Sequence, residues 1–216
     1  MTLPPDLPSG DGRHGMSDSS NRKSGGGVIR GLILAGGKSS RFGADKAMAF
    51  YKGVPFLERA ASLLKRLELK PILVGRPRLT DISFLKCTTL YDKLSDQGPL
   101  GGLYTAMAVF KNTAFLMVSC DMPLLSRQAL SFLLEKHDPV YGATLFSTQN
   151  QIQPFPGIYE PSLLGLLRKN LMDGSLSVRH FLDQIPSKNV MVWQGDERIF
   201  SNVNTRDDLK NLVRMP

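Results

Sequence analysis

From Val28 onward, short apolar runs alternate with amphipathic stretches, and that alternation restricts the fold of this chain more than any other feature. Strands are expected at Val28–Leu34, Lys70–Val74, Thr88–Tyr91, Ala114–Ser119, Tyr141–Phe146 and Asn189–Trp193. Helices are expected at Pro55–Leu67, Leu100–Phe110, Ser126–Lys136, Ser162–Asn170, Val178–Gln184 and Thr205–Val213. The first four strands are apolar or β-branched with helices between them, the pattern of parallel strands covered on both faces. No internal repeat is present. The expected fold is therefore α/β: a three-layer αβα sandwich with a Rossmann-like, mostly parallel sheet. Its ligand belongs at the carboxyl ends of the strands.

The first strand runs into the stretch with the most functional content, Gly31–Lys46, GLILAGGKSSRFGADK. Gly36 and Gly37 permit a turn with positive φ and leave no Cβ between main-chain N–H groups and a ligand. Successive free N–H groups form an anion site, and Lys38, Arg41 and Lys46 add charge around it. A glycine turn with a solvated basic loop is the plain alternative. The density of glycine and cations directly after a strand favours polyphosphate instead. The loop is not a Walker A motif, because Gly37 stands where that motif needs lysine, and no G-x-G-x-x-G follows the strand.

Composition narrows the ligand. The 216 residues carry a net charge of +8, and the first 27 contain three acids and three bases, so the excess lies in the rest of the chain. That excess favours polyanions. The cations are scattered without an aromatic–basic ladder, which argues against nucleic acid. Cys87 and Cys120 sit in apolar surroundings without metal-type spacing and read as buried small hydrophobes. Met1–Gly27, rich in Gly, Ser, Asp and Pro, is expected to be a disordered leader, with residues 28–216 forming a single domain. No apolar run is long enough to span a bilayer and no signal-peptide core is present. No membrane association and a cytoplasmic location are therefore expected.

Three further segments carry candidate chemistry. In Val118–Pro123, VSCDMP, an apolar strand ends and Asp121 follows, in this topology directed at the glycine loop. A carboxylate beside a phosphate site suits Mg²⁺, which is usually held by one or two protein oxygens plus phosphates; capping the turn before Pro123 is the other reading. In Tyr91–Gly102, YDKLSDQGPLGG, Gly98 and Gly101 permit close approach of a flat ligand, and Asp92 can accept hydrogen bonds from a base or sugar. A structural turn explains Gly98 and Pro99 equally well. In FSNVNTRDDL, Phe200–Leu209, Asn202 and Asn204 lie two apart on one face of an extended segment, and Thr205 caps the last helix. Their carbonyls could complete a hard-metal site with Asp121.

Together these segments resemble the molybdenum cofactor guanylyltransferases, within the nucleotidyltransferases that share an LAGG-x-S-x-R-x-G-x-D-K signature. Here that signature stands as LAGGKSSRFGADK, Leu34–Lys46. GPLGG at Gly98–Gly102, CDMP at Cys120–Pro123, QPFPGIY at Gln153–Tyr159 and NVNTRDDL at Asn202–Leu209 are similar to the family's other segments and follow in its order. The resemblance implies the nucleotidyltransferase fold and transfer of GMP from GTP to the terminal phosphate of molybdopterin, with release of pyrophosphate. It implies Mg²⁺ as cofactor, GTP and molybdopterin as substrates, and cofactor-loading proteins and molybdoenzyme chaperones as further partners.

By the same resemblance, Lys46, Arg41 and Asp121 are the catalytic residues. Leu34, Ala35, Gly36, Gly37, Lys46, Asp92, Gly98, Gly101 and Asp121 hold the nucleotide. Asp121 with Asn202 or Asn204 binds the metal, and Gln153, Pro154 and Arg179 meet the pterin. Gly37 is the family's mark for guanylyl rather than cytidylyl transfer, while Gly75 stands where an asparagine is common. The alternatives are another nucleotidyltransferase, acting on a sugar phosphate or transferring cytidylate, and a non-catalytic GTP-binding assembly factor.

Overall fold

The computed structural model describes residues 23–24, 27–35, 46–75, 82, 85–91, 94, 97–149 and 151–214. Residues 1–22, most of the expected leader, lie outside the described residues. Strand β1, Lys23–Ser24, pairs antiparallel with the start of β2, Gly27–Ala35. The central sheet is completed by β5 (Pro71–Gly75), β6 (Thr88–Tyr91), β7 (Thr113–Ser119), β8 (Ala143–Thr148), β9 (Gln151–Tyr159) and β10 (Lys188–Val192). Across the sheet they run β10-β8-β9-β7-β2-β5-β6. β9 is antiparallel to both of its neighbours, and the other pairings along this path are parallel. Two two-residue strands, β3 (Phe50–Tyr51) and β4 (Val54–Pro55), form a separate hairpin. Lys52 and Gly53 turn it at φ of 49° and 76°, the pair of positive angles that a type I′ turn needs.

Successive strand residues point to opposite faces, and here both faces are apolar. Ile33 of β2, Leu73 of β5, and Leu116 and Val118 of β7 pack against α1 (Phe56–Lys65) and α3 (Arg127–Glu135). Their neighbours Leu32, Leu34, Ile72, Val74, Phe115 and Met117 face α2 (Gly98–Val109), α4 (Leu164–Met172) and α5 (Val178–Gln184). Each fully buried aliphatic side chain contributes about 1.5–3 kcal/mol, so this double-sided core fixes the three layers. The last helix, α6 (Arg206–Arg214), joins a smaller cluster of Tyr51, Phe56, Val203 and Leu212. The mostly parallel αβα sandwich expected from the alternation is the fold observed.

The sequence reading misses β9. Pro154, Pro156 and Gly157 look like turn residues, and a proline has no N–H for a ladder. The strand accommodates them in a bulge. β8 residue Leu145 pairs with Gly157 but the next, Phe146, pairs with Gln153, so Pro154–Pro156 have no partners on β8. Beneath the bulge, the hydroxyl of fully buried Tyr159 donates to the Pro154 carbonyl at 2.7 Å, and burial pushes that phenol far above its ordinary range. A Cβ at Gly157 would lie 2.6 Å from Leu145 Cδ2 and 3.1 Å from the Pro154 carbonyl oxygen, so any side chain there would have to push both aside.

The strand order also locates a crevice. From β2 the chain builds outward through β5 and β6, then returns to place β7 on the other side of β2. The order reverses between β2 and β7, and open α/β sheets bind ligands at the carboxyl ends of such a pair. There Leu34 lies in register with Ser119, and the Cys120 N–H donates to the Leu34 carbonyl at 3.4 Å.

Candidate active site

β7 ends at Ser119, and the next residues turn Asp121 across the top of the sheet. The Ser119 hydroxyl donates to Asp121 Oδ1 at 2.5 Å. The other carboxylate oxygen, Oδ2, receives the Lys46 ammonium at 2.6 Å. Lys46 opens a single 3-10 turn, Lys46–Met48, just after the glycine loop. Its ammonium also donates to Asn204 Oδ1 at 2.9 Å. Three chain segments thus meet on one nitrogen.

Asn204 is delivered by the chain just ahead of α6. The Val203 N–H donates to the Asp121 carbonyl at 2.9 Å, and the Val203 side chain is buried. The start of α6 is locked by reciprocal caps: Thr205 Oγ1 accepts from the Asp208 N–H at 3.0 Å, and Asp208 Oδ2 accepts from the N–H groups of Asn204 and Thr205, each at 2.8 Å. The Asn204 N–H, with that of Thr205, holds the Asp208 carboxyl below its ordinary range; the Thr205 hydroxyl and the Lys46 charge act in the same direction.

The side chains of Lys46 and Asp121 are 19% and 11% exposed, so water screens the pair only in part. Two oxygens, one anionic and one amide, converge on a cation at the mouth of the crevice. Among the described residues no group of three or more His, Cys, Asp or Glu could hold a metal ion. This donor set suits a hard cation that takes its remaining ligands from phosphates. It does not suit zinc held by protein alone.

The other expected site residues are distributed as follows. Leu34 and Ala35 close β2 at the crevice. Gly36, Gly37, Arg41 and Asp92 lie outside the described residues. Gly98 begins α2 at φ +61°, a left-handed conformation that favours glycine, and Gly101 is buried one turn on. Gly75 lies in register with Ala35, where an added Cβ would sit 3.0 Å from the Ala35 carbonyl oxygen; a larger residue there would crowd the end of β2. Of the two asparagines, Asn204 reaches Lys46 and Asn202 is exposed.

Because β9 runs opposite to its neighbours, its first half lies on the ligand edge. There Gln153 donates to Thr148 Oγ1 at 2.7 Å, beside the bulged Pro154. Arg179 is exposed on α5. The sequence reading overlooks Ser119 and Asp208. A hydroxyl two residues before an acid at a strand end, and a Thr-x-x-Asp before an apolar stripe, are the signals that would have found them.

This sheet and this charged crevice define an open αβα sandwich with a polar site at its switch point. Residues 31–190 match the MobA-like NTP transferase domain. The chain is 29% identical to a Flavobacterium johnsoniae protein described as a probable molybdenum cofactor guanylyltransferase, over 84% of this chain and 94% of that one. A Clostridium perfringens protein of the same description is 31% identical, over 84% of this chain and 94% of its own. Among solved structures, a protein from Aquifex aeolicus matches at TM-score 0.68 and 26% identity, covering 82% of this chain and 93% of that one. Molybdopterin-guanine dinucleotide biosynthesis protein A from Archaeoglobus fulgidus shares the fold at TM-score 0.67 and 21% identity, over 84% and 95% of the two chains. The chain belongs to the MobA-like NTP transferase domain family.

Proposed function

We propose that this nucleotidyltransferase moves GMP from GTP to the terminal phosphate of molybdopterin and releases pyrophosphate, with Mg²⁺ as cofactor. The observation that carries the reading is the convergence of Lys46, Asp121 and Asn204 at the switch point of the sheet. The descriptions of the relatives support the choice of guanylate and acceptor.

A phosphate oxygen of the acceptor attacks the α-phosphorus in line. One O–P bond forms, the bond to the β-phosphate oxygen breaks, and pyrophosphate leaves with the bonding pair. The nucleophile is already an anion, so the protein supplies no general base. Its contribution is positioning and neutralisation of charge. Gly36–Gly37 cradle the phosphates through their N–H groups, with Arg41 and Lys46 as cations and Asp92 at the guanine. Gln153 and Pro154, on the reversed strand, face the acceptor, with Arg179 as a further phosphate contact.

Asp121 and Asn204 would hold Mg²⁺. When bound, the ion would neutralise charge on the phosphates. Lys46 donates to the same two oxygens, and its ammonium is the charge that would meet the triphosphate. Cofactor-loading proteins and molybdoenzyme chaperones are partners suited to receive such a product.

Incubation with Mg²⁺, molybdopterin and each nucleoside triphosphate, read by pyrophosphate release, tests the reading. GTP is expected to be the donor. A preference for CTP would overturn the role given to Gly37, and nucleotide binding without pyrophosphate release would favour the assembly-factor reading.

A further inference from the structure

The backbone of the Asp121 loop is tied down group by group, from β2, from the chain ahead of α6 and from within the loop itself. The Cys120 N–H reaches Leu34 of β2, the Asp121 carbonyl takes Val203, and the Met122 carbonyl takes the Leu125 N–H. The Pro123 carbonyl has neither helix nor sheet to bond. It accepts from Arg59 of α1, Nε at 3.3 Å and Nη2 at 3.1 Å. The guanidinium also lies over the ring of Tyr51, 5.0 Å from its centroid. Tyr51 is buried in the same cluster as Val203, the residue preceding Asn204.

The loop packs on the core through buried Cys120 and Met122, and toward α1 it borders a pocket. A cavity of about 250 Å³ lies there, lined by Glu58, Arg59, Ser119, Met122 and Pro123 among others. On the pocket side the loop is tied to α1 by the Arg59 fork on the Pro123 carbonyl.

We infer that Arg59 is a positioning residue for the active site: it sets the Asp121 carboxylate at the height where Lys46 and Asn204 meet it. This rests on the reading of Asp121 as the metal ligand. Arginine suits the task because its planar fork gives two N–H groups to one oxygen and stacks on an aromatic ring; lysine does neither. Groups that orient a metal ligand typically change metal affinity by about 10–100-fold when removed.

The test uses the full chain, with Mn²⁺ binding in the presence of GTP followed by electron paramagnetic resonance, beside pyrophosphate release. Arg59→Ala is expected to raise the Mn²⁺ needed for half-saturation by roughly tenfold. KM for GTP at saturating metal should stay near the wild-type value. Methylguanidinium, small enough for the enlarged cavity, should recover a substantial part of the lost affinity, and Arg59→Lys should recover less.

An unchanged Mn²⁺ requirement in a folded Arg59→Ala protein would overturn the inference. So would a loss that methylguanidinium leaves untouched. If Arg59→Ala does not fold, Arg59→Lys carries the test through the same Mn²⁺ measurement, and a wild-type requirement there overturns the inference. Asp121→Asn run in parallel separates the two levels. Loss of Mn²⁺ binding there with Arg59→Ala unaffected defeats Arg59 alone, whereas wild-type binding in Asp121→Asn defeats the metal reading itself.

Discussion

Replacing Lys46 with methionine should move two affinities in opposite directions. Lys46 gives charge-assisted hydrogen bonds to Asp121 at 2.6 Å and Asn204 at 2.9 Å. A divalent ion seeking those oxygens without nucleotide must first displace the ammonium. Across 2.6 Å the bare attraction at an effective dielectric of 20 is about 6 kcal/mol. Rehydration of the freed ammonium cancels most of it. A net about 1.5–3 kcal/mol remains, typical of a hydrogen bond to a charged group. Each 1.4 kcal/mol is about tenfold in affinity. Lys46→Met keeps an apolar stem of similar shape but removes the competitor, so it should bind Mn²⁺ alone about 10–100-fold more tightly. With GTP present the sign reverses, because the triphosphate loses a cation, and turnover should fall by about 10²–10³. Titration of free Mn²⁺ by electron paramagnetic resonance, with and without GTP, measures the affinities, and pyrophosphate release measures the turnover. Mn²⁺ affinity that is unchanged or weaker without nucleotide would show that Lys46 does not guard these oxygens.

Other perturbations address separate links. Asp121→Asn should retain the circular dichroism of the fold and lose about 10²–10³ in pyrophosphate release; near-normal turnover would remove Asp121 from the mechanism. Gly157→Ala forces a Cβ against Leu145 and the Pro154 carbonyl, and should lower stability by about 1–3 kcal/mol in urea titration, with an unchanged midpoint counting against the bulge. Asp208 has its carboxyl held below the ordinary range by the N–H groups of Asn204 and Thr205. Its contribution is complete above the unfolded carboxylate value and lost as pH falls through the lower folded value, so the protection of these two amides relative to their intrinsic exchange rates should fall only in acid. Burial pushes the Cys87 thiol up against the opposing charge of Lys65, so it should alkylate more slowly than free cysteine at neutral pH.

Much of this architecture was legible because buried parallel strands are apolar on both faces. β2, β5 and β7 declare themselves in sequence for that reason. β9 does not, since what lets Pro154 and Pro156 sit in a strand is a bond from Tyr159 and the close packing that the missing side chain at Gly157 allows, neither of them a periodic signal. The hairpin of β3 and β4 is too short to show a period. The site divides in the same way. Asp121 was visible as an acid at a strand end, and Lys46 as a cation after a glycine loop. The choice of Asn204 over Asn202 was not, because alternation places both on one face. It depends on Val203 bonding to Asp121 and on the Asp208 cap, both products of tertiary contact.

The spacing of the three central residues has a consequence for how the protein matures. Lys46 is 75 residues from Asp121 and 158 from Asn204. During synthesis the ribosome releases the central strands β2, β5 and β7, complete by Ser119, well before the segment that carries Asn204. A growing chain can therefore pack these strands while the crevice still lacks Asn204. Competence arrives late and all at once, when α6 docks on Tyr51 and Phe56 and brings Asn204 to Lys46. A nascent or clipped chain without that segment would lack both the Asn204 oxygen on Lys46 and the Val203 bond to Asp121.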